Sequence, residues 1–367
     1  MDSSDPSISF DANSISNHYH NFQYTKKEKW LNSFQSEKTL EAIVKTIKKT
    51  ERTRDFDCIL GMSGGADSSY MLHKMVRQYG LRPLVFHVDG GWNSEIAVHN
   101  IRCLVENLKL DLYTEVINWE EMKNFQLSMF KSGVSHLDVP QDLAFIGVLY
   151  KFAAKHKIRY ILNGGNLSTE SVPTPLQYLY WPTDLVQIRD ILKRFGSLPM
   201  KSYPFTSILY HKVYLPALRG VKVLKPLNFM PYIKKQAIDI LQQEYGWKPY
   251  SQKHYESRFT RFFEGWWLPT RFGFDMRRRE FSSLILTGQM TRDEALELLE
   301  KPALDPGVEK QEFQYVAAKL GISQEELRHY HTMPKRFYWD YANQKWLFDI
   351  GEKILGFLTG AVRGGAY

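Results

Sequence analysis

Only two cysteines occur among the 367 residues, Cys58 and Cys103, too few for a disulfide framework or a cysteine-rich zinc knuckle. Apolar runs are short, and none approaches the roughly 20 residues that a membrane-spanning helix needs. The opening stretch Met1-Asp2-Ser3-Ser4-Asp5-Pro6 lacks the basic and apolar regions of a signal peptide, so a cytoplasmic location is expected and a membrane partner is not. Like charges are nowhere massed into a block of about five or six, which speaks against a nucleic-acid-binding tail. Nothing in the composition resembles a collagen, a mucin stalk or a long acidic tail.

What is present is globular in character. The hydrophobic share is 43% and the charged share 24%, and the length suits two domains at about 100 to 200 residues each. Lys and Arg number 48 against 40 Asp and Glu, a formal net charge of +8. Such mild basicity is compatible with nucleic acid, a nucleotide sugar, an acidic partner or a merely solvated surface. Trp and Tyr are frequent in the C-terminal half, as at a sheltered pocket or a subunit interface, and a homodimer is expected on that ground.

Residues 1–54 read as an N-terminal extension whose later part carries apolar residues at helical spacing (Leu40, Ile43, Val44, Ile47). Residues 55–196 alternate apolar runs with helical stretches. The runs are Phe56 to Gly61, Leu84 to Val88, Leu112 to Ile117 and Tyr160 to Leu162; helices are expected from about Asp67 to Tyr79, Ser94 to Leu108 and Gln141 to His156. This rhythm predicts an α/β fold with a doubly wound parallel sheet covered on both faces. Ligands of such sheets bind beyond the carboxyl ends of the strands, which directs attention to the loops after Gly61, Val88 and Leu162. Residues 197–367 lose the rhythm and read as a mainly helical region for substrate binding or oligomerisation.

The first of those loops, Ser63-Gly64-Gly65-Ala66-Asp67-Ser68-Ser69, runs straight from a strand into a helix. Its glycines let the backbone approach a polyanion, the helix start offers unpaired amides, and the hydroxyls of Ser63, Ser68 and Ser69 add donors. Pyrophosphate suits such a loop. The lysine of the common nucleotide-binding loop is missing, and Asp67 stands at the helix start instead. A carboxylate facing phosphates is explained if it holds Mg²⁺, which ATP normally brings, or if it caps the amides. The alternative is a tight strand-to-helix connection with no ligand. Asp89 in Asp89-Gly90-Gly91-Trp92 and the stretch Asn163-Gly164-Gly165-Asn166, with Thr169 and Glu170 close behind, follow the other two strands.

The Ser-Gly-Gly-x-Asp-Ser loop resembles that of the ATP pyrophosphatases, the adenylating family that includes GMP synthetase, argininosuccinate synthetase and tRNA lysidine and thiolation enzymes. Four further stretches are similar to the N-acetyl sugar amidotransferases of lipopolysaccharide and nonulosonic acid biosynthesis. They are Asp89 to Ser94, Leu112 to Ile117, Gly164 to Glu170, and Lys253-His254-Tyr255-Glu256-Ser257-Arg258-Phe259-Thr260-Arg261-Phe262. The resemblance implies a sheet of the adenine nucleotide alpha hydrolase-like type. It also implies a synthetase that converts an acetamido group of a nucleotide-linked sugar into an acetamidino group, with ATP and Mg²⁺. The ammonia would come from a glutaminase and a tunnel-forming partner, both related to the histidine-biosynthesis amidotransferase. Family members commonly open with paired cysteines resembling a small zinc site. Here Ser16 and Tyr19 stand in those places, and His18 and His20, which cannot alone complete four ligands, read as surface residues.

On this reading Asp67, Ser68 and Glu170 are the catalytic candidates, with Asp67 as the Mg²⁺ ligand. Ser63, Gly64, Gly65, Asp67, Ser68, Ser69, Asp89, Gly164 and Asn166 are candidates for ATP and pyrophosphate. Glu170 could orient the substrate or take protons from the incoming ammonia. Lys253, His254, Arg258 and Arg261 form a basic cluster suited to a sugar-nucleotide diphosphate or a uronate, or else a charged helix face that packs at an interface. Two other readings stand beside it: a tRNA-modifying adenylating enzyme, for which no basic stripe exists, and a nucleotide-binding protein without catalysis.

Overall fold

The computed structural model describes residues 1–30 and 34–359. Residues 31–33 of the N-terminal extension and 360–367 of the C-terminal region lie outside the described residues.

Five parallel strands, β1 (Cys58–Gly61), β2 (Pro83–Asp89), β3 (Leu112–Val116), β4 (Tyr160–Leu162) and β5 (Lys222–Leu224), form one sheet in the order β3-β2-β1-β4-β5. Successive side chains of a strand point to opposite faces, and in β1, β2 and β4 both faces are buried, whereas the edge strands β3 and β5 are largely exposed. Ile59, Phe86, Val88 and Ile161 enter one apolar core, while Cys58, Leu60, Val85, Tyr160 and Leu162 enter the other. That is why these strands read as continuous apolar runs instead of alternating ones.

The first core is completed by the helices Trp119–Ser132 and Val139–Lys155 and by aromatic residues far along the chain, among them Phe259, Phe262, Trp267 and Phe313. The second is covered by the helices Phe34–Thr50, Ala66–His73, Glu95–Leu108 and Lys234–Tyr245, through Leu40, Ile47, Met71, Leu104 and Leu241. The C-terminal region is helical, as its sequence suggests, with Arg277–Leu286, Pro306–Leu320 and Gln324–Thr332 among its helices.

Two elements lie outside the expected rhythm. The helix Trp119–Ser132 fills a stretch with no assignment, although Asn118 caps it by accepting from the Glu121 amide at 3.1 Å and Gly133 ends it at φ +72°. The strand β5 arises in the irregular proline- and lysine-containing stretch and pairs with β4 from Tyr160↔Lys222 to Leu162↔Leu224. Three edge residues are too few to carry a periodic signal. One expectation is corrected: His18 is buried and its Nε2 lies 2.7 Å from Asp5, itself 1% exposed, because the first turns of the chain fold over it. His20 pairs with Asp11 at a partly exposed position.

The strand order places β1 in the middle, with the chain building outward first through β2 and β3, then through β4 and β5. The reversal falls between β1 and β4, so the loops after these two strands flank a crevice at the carboxyl edge. The helix Glu95–Leu108, which follows β2, supplies the third wall.

Leu60 is fully buried, whereas Leu218 is 72% exposed. Leu60→Ala should therefore cost about 2–5 kcal/mol of unfolding free energy and Leu218→Ala less than about 0.5 kcal/mol, measured by denaturant unfolding of the two variants.

Candidate active site at the carboxyl edge of the sheet

The loop between β1 and the helix Ala66–His73 is held from three sides. Gly64 adopts φ +86°, and a Cβ there would stand 2.8 Å from the carbonyl oxygen of Ala97, so both conformation and space require glycine. Its carbonyl oxygen accepts from the Asn100 amide at 3.2 Å, the Trp247 indole at 3.1 Å and the Tyr250 hydroxyl at 3.2 Å. In a trans peptide N–H and C=O point opposite ways. Pinning that carbonyl therefore turns the Gly65 amide to the other side, where it donates to Ser63 Oγ at 3.2 Å.

Ser68 donates to the Gly65 carbonyl at 3.3 Å and lies 3.2 Å from Ser63 Oγ, so these hydroxyls hold the loop's own shape. Ser69 is completely buried and among the described residues its Oγ has no partner, an orphaned donor within the loop. A Cβ on Gly65 would fall 1.6 Å from Glu256 Oε1, which places that carboxyl directly over the loop. A Cβ on Gly164 would meet the Ser68 amide nitrogen at 3.0 Å, so the loop after β4 touches the first turn of the helix. Asn166 is occupied as a helix cap, accepting from the Thr169 amide at 2.9 Å and donating to the Gly164 carbonyl at 3.2 Å.

The electrostatic centre is Lys253. Its ammonium lies 2.8 Å from Asp67 Oδ2, 2.8 Å from Glu170 Oε1 and 2.7 Å from Thr169 Oγ1. The Tyr232 hydroxyl donates to the other oxygen of Asp67. Burial opposes the charge on Lys253, but Asp67 and Glu170 outweigh it and hold the ammonium above its ordinary range. Burial likewise opposes ionisation of Glu170, yet Lys253, Arg279 and His254 hold that carboxyl well below the usual range. Burial and the neighbouring Asp67 push the Tyr232 phenol well up. Burial raises Glu256, with His254 opposing.

Two carboxylates that share one cation at hydrogen-bonding distance form an all-oxygen donor set, which a hard divalent ion also accepts. Asp67 and Glu170 fit Mg²⁺ in this respect, and Ser69 adds an unspent hydroxyl in the same loop.

Of the residues singled out from the sequence, Ser63, Gly64, Gly65, Asp67, Ser68, Ser69, Gly164, Asn166, Glu170 and Lys253 are gathered here. Asp89 lies at the end of β2, where its Oδ1 accepts from the Gly91 amide at 2.7 Å and closes a turn. His254 adjoins Lys253 at φ +66°, a left-handed conformation for a residue with a side chain, and its Nδ1 lies 3.2 and 3.3 Å from the Glu264 carboxylate. Arg258 and Arg261 are not brought to the loop. Both bind the buried Glu312, Arg258 at 2.9 Å with its guanidinium 3.4 Å from the Tyr315 ring centre.

Residues that sequence reasoning passed over are Tyr232, Glu256, Asn100, Trp247 and Tyr250. Glu256 lay inside a quoted motif and Asn100 on the helix after the second loop. Tyr232, Trp247 and Tyr250 carry no local signal, because their partners are far away in the chain.

The fold is a parallel α/β sheet whose central strand runs through a glycine-containing loop into a helix. Residues 256–355 match the family model described as LPS biosynthesis protein WbpG-like, C-terminal domain. No curated protein matches the sequence. Among solved structures the chain is similar to NMN synthetase from Francisella tularensis, with TM-score 0.38 and 13% identity over 82% of this chain and 97% of that one. It is similar to the NH3-dependent NAD synthetase from Campylobacter jejuni, with TM-score 0.31 and 14% identity over 83% and 100%. The U34-tRNA thiolase NcsA from Methanococcus maripaludis gives TM-score 0.31 and 14% identity over 71% and 80%.

Burial works against the His254 charge, but Glu264 raises the imidazole from 6.5 to about 9. A raised folded-state value means that the pair's stabilisation is complete below pH 6.5 and disappears as the pH rises through about 9. In Glu264→Gln the His254 imidazole should titrate at a clearly lower pH than in the wild type, as followed by NMR.

Proposed function

We propose that the protein is an ATP-dependent, AMP-forming amidotransferase that adenylates the acetamido oxygen of a nucleotide-linked N-acetyl sugar and replaces it with ammonia, giving an acetamidino sugar. The observation that carries this reading is the Ser63–Ser69 loop with Asp67, Glu170 and Lys253 converging on it, in a chain whose following segment matches the WbpG-like domain.

An amide oxygen is a weak nucleophile, so it must be held in line with the α-phosphorus while the leaving group is stabilised. The oxygen attacks phosphorus, the bond between the α-phosphorus and the bridging oxygen breaks, and pyrophosphate departs into the loop. The loop supplies the amides at the start of the helix Ala66–His73 and the Ser69 hydroxyl, and Lys253 stands beside it to meet the developing charge. Mg²⁺, held by Asp67 and Glu170, would neutralise phosphate oxygens.

The amide proton leaves as the O-adenylated imidate forms. Ammonia then adds to the imidate carbon, the carbon–oxygen bond breaks, and AMP departs with the former amide oxygen, leaving an amidine. Glu170 is a poor proton acceptor in this sequence because its cationic neighbours keep it ionised far below neutrality. Glu256, raised by burial and set against Gly65, is the better placed carboxyl for that role.

The ammonia would be delivered by a glutaminase and a tunnel-forming subunit, and the acetamidino sugar would enter a surface glycan such as the O-antigen. A homodimer is part of the same reading. Sulfur transfer to tRNA fits poorly, since Cys58 and Cys103 are both buried and burial pushes both thiols up, leaving no ready thiolate.

Incubation with ATP, Mg²⁺, ammonium and UDP-linked diacetamido sugars should yield AMP, together with a sugar in which an oxygen is exchanged for an NH group by mass. Formation of ADP instead of AMP would rule the reading out. Asp67→Ala should lower substrate-dependent pyrophosphate release by at least about a hundredfold in a folded protein, while undiminished release would remove the loop from the mechanism.

A further inference from the structure

Beside the carboxylate pair lies a recess that opens to solvent and counts Thr169, Gln252, Lys253, His254 and Arg279 among its walls. Several charges around it are already matched. His254 pairs with Glu264, Glu280 with Lys234, and Arg277 with Asp275 at 2.7 Å. Arg279 is different: its Nε donates to the Val172 carbonyl at 3.0 Å, and among the described residues its two terminal nitrogens have no partner.

Two lysines stand close by. Lys26, from the N-terminal extension, donates to the Ser171 carbonyl and has no carboxylate partner among the described residues. Lys225 follows β5, and its Nζ would stand 3.2 Å from a Cβ on Gly165, with Glu170 Oε2 at 3.3 Å from the same point. The three side chains therefore surround the stretch Gly165–Val172 from three separate elements.

Arg279 acts electrostatically on both lysines. Burial, with Arg279 adding to it, lowers Lys26 to about 8. Burial lowers Lys225, Glu170 opposes, and Lys212, Arg279 and Lys253 add to the lowering. Cations gathered at a partly desolvated place repel one another, and a bound polyanion relieves that repulsion.

We propose that Arg279, Lys26 and Lys225 form a second anion subsite, next to Glu170 and separate from the Ser63–Ser69 loop, that takes the diphosphate of the nucleotide-linked substrate. The unspent guanidinium fork suits paired phosphate oxygens, and the lysines act as point charges. Arg258 and Arg261, the more obvious candidates by sequence, are committed to Glu312. The ligand's identity rests on the amidotransferase reading, but the test is independent of it.

With the loop filled by saturating α,β-methylene-ATP and Mg²⁺, inorganic pyrophosphate titrated calorimetrically into the full chain should bind as a further equivalent. Arg279→Gln and Lys225→Met should each weaken that pyrophosphate by at least about tenfold and the ATP analogue by less than about threefold. Arg279→Lys, the mildest change, should fall between the wild type and Arg279→Gln. The proposal is overturned by absence of the further equivalent, by unchanged affinity in the variants, or by a lysine variant as weak as the glutamine one. An equal loss for the analogue also overturns it, because the cluster would then belong to the tail of ATP. The identity of the adenylate product, AMP or ADP, is decided separately, so either idea can fail without the other.

Discussion

The site depends on one ammonium between two carboxylates. Lys253, Asp67 and Glu170 are mostly withdrawn from water, with side-chain exposures of 12%, 17% and 21%. Removing a single partner from such a group leaves an uncompensated charge, a loss of about 3–5 kcal/mol when burial is complete and less here. The three residues come from the helix after β1, the short helix after β4 and the segment before Tyr255. Their attraction therefore draws those elements together over the crevice. Tyr232 and Thr169 complete the arrangement by hydrogen bonding to Asp67 and Lys253.

The surrounding structure keeps this cluster from collapsing the loop. Three donors on the Gly64 carbonyl fix one peptide plane, and the His87 ring fixes the strand edge, since its Nδ1 lies 2.8 Å from the Met62 carbonyl and its Nε2 2.9 Å from the Asn93 amide nitrogen. Those partners assign the proton to Nδ1, because a carbonyl accepts and an amide NH₂ donates. A site built in this way on strand ends and helix starts holds its geometry without a ligand, which is the condition for stabilising charge as it develops.

The charges also divide the basic residues into two kinds. Arg258 and Arg261 spend their charge on Glu312 and fasten the helix Arg258–Phe262 to Pro306–Leu320, as a helix face packed within the chain. Lys253 and Arg279 face the recess. Three residues of one motif, Lys253, Arg258 and Arg261, thus serve different tasks, and only the direction of each side chain separates them.

The sequence by itself determined the centre of the parallel sheet, because the strands β1, β2 and β4, buried on both faces, must be apolar throughout. It also determined the loop after β1, because a glycine pair entering a helix has few other uses. The covering helix Trp119–Ser132 had its capping residues in view and was passed over, and the three-residue edge strand β5 carried no periodic signal. The meeting of Asp67, Glu170 and Lys253, the three donors on Gly64 and the approach of Glu256 to Gly65 were decided by the tertiary structure. Charge attraction, hydrogen-bond satisfaction and close packing act through space, and residues on separate elements leave no common pattern in one chain.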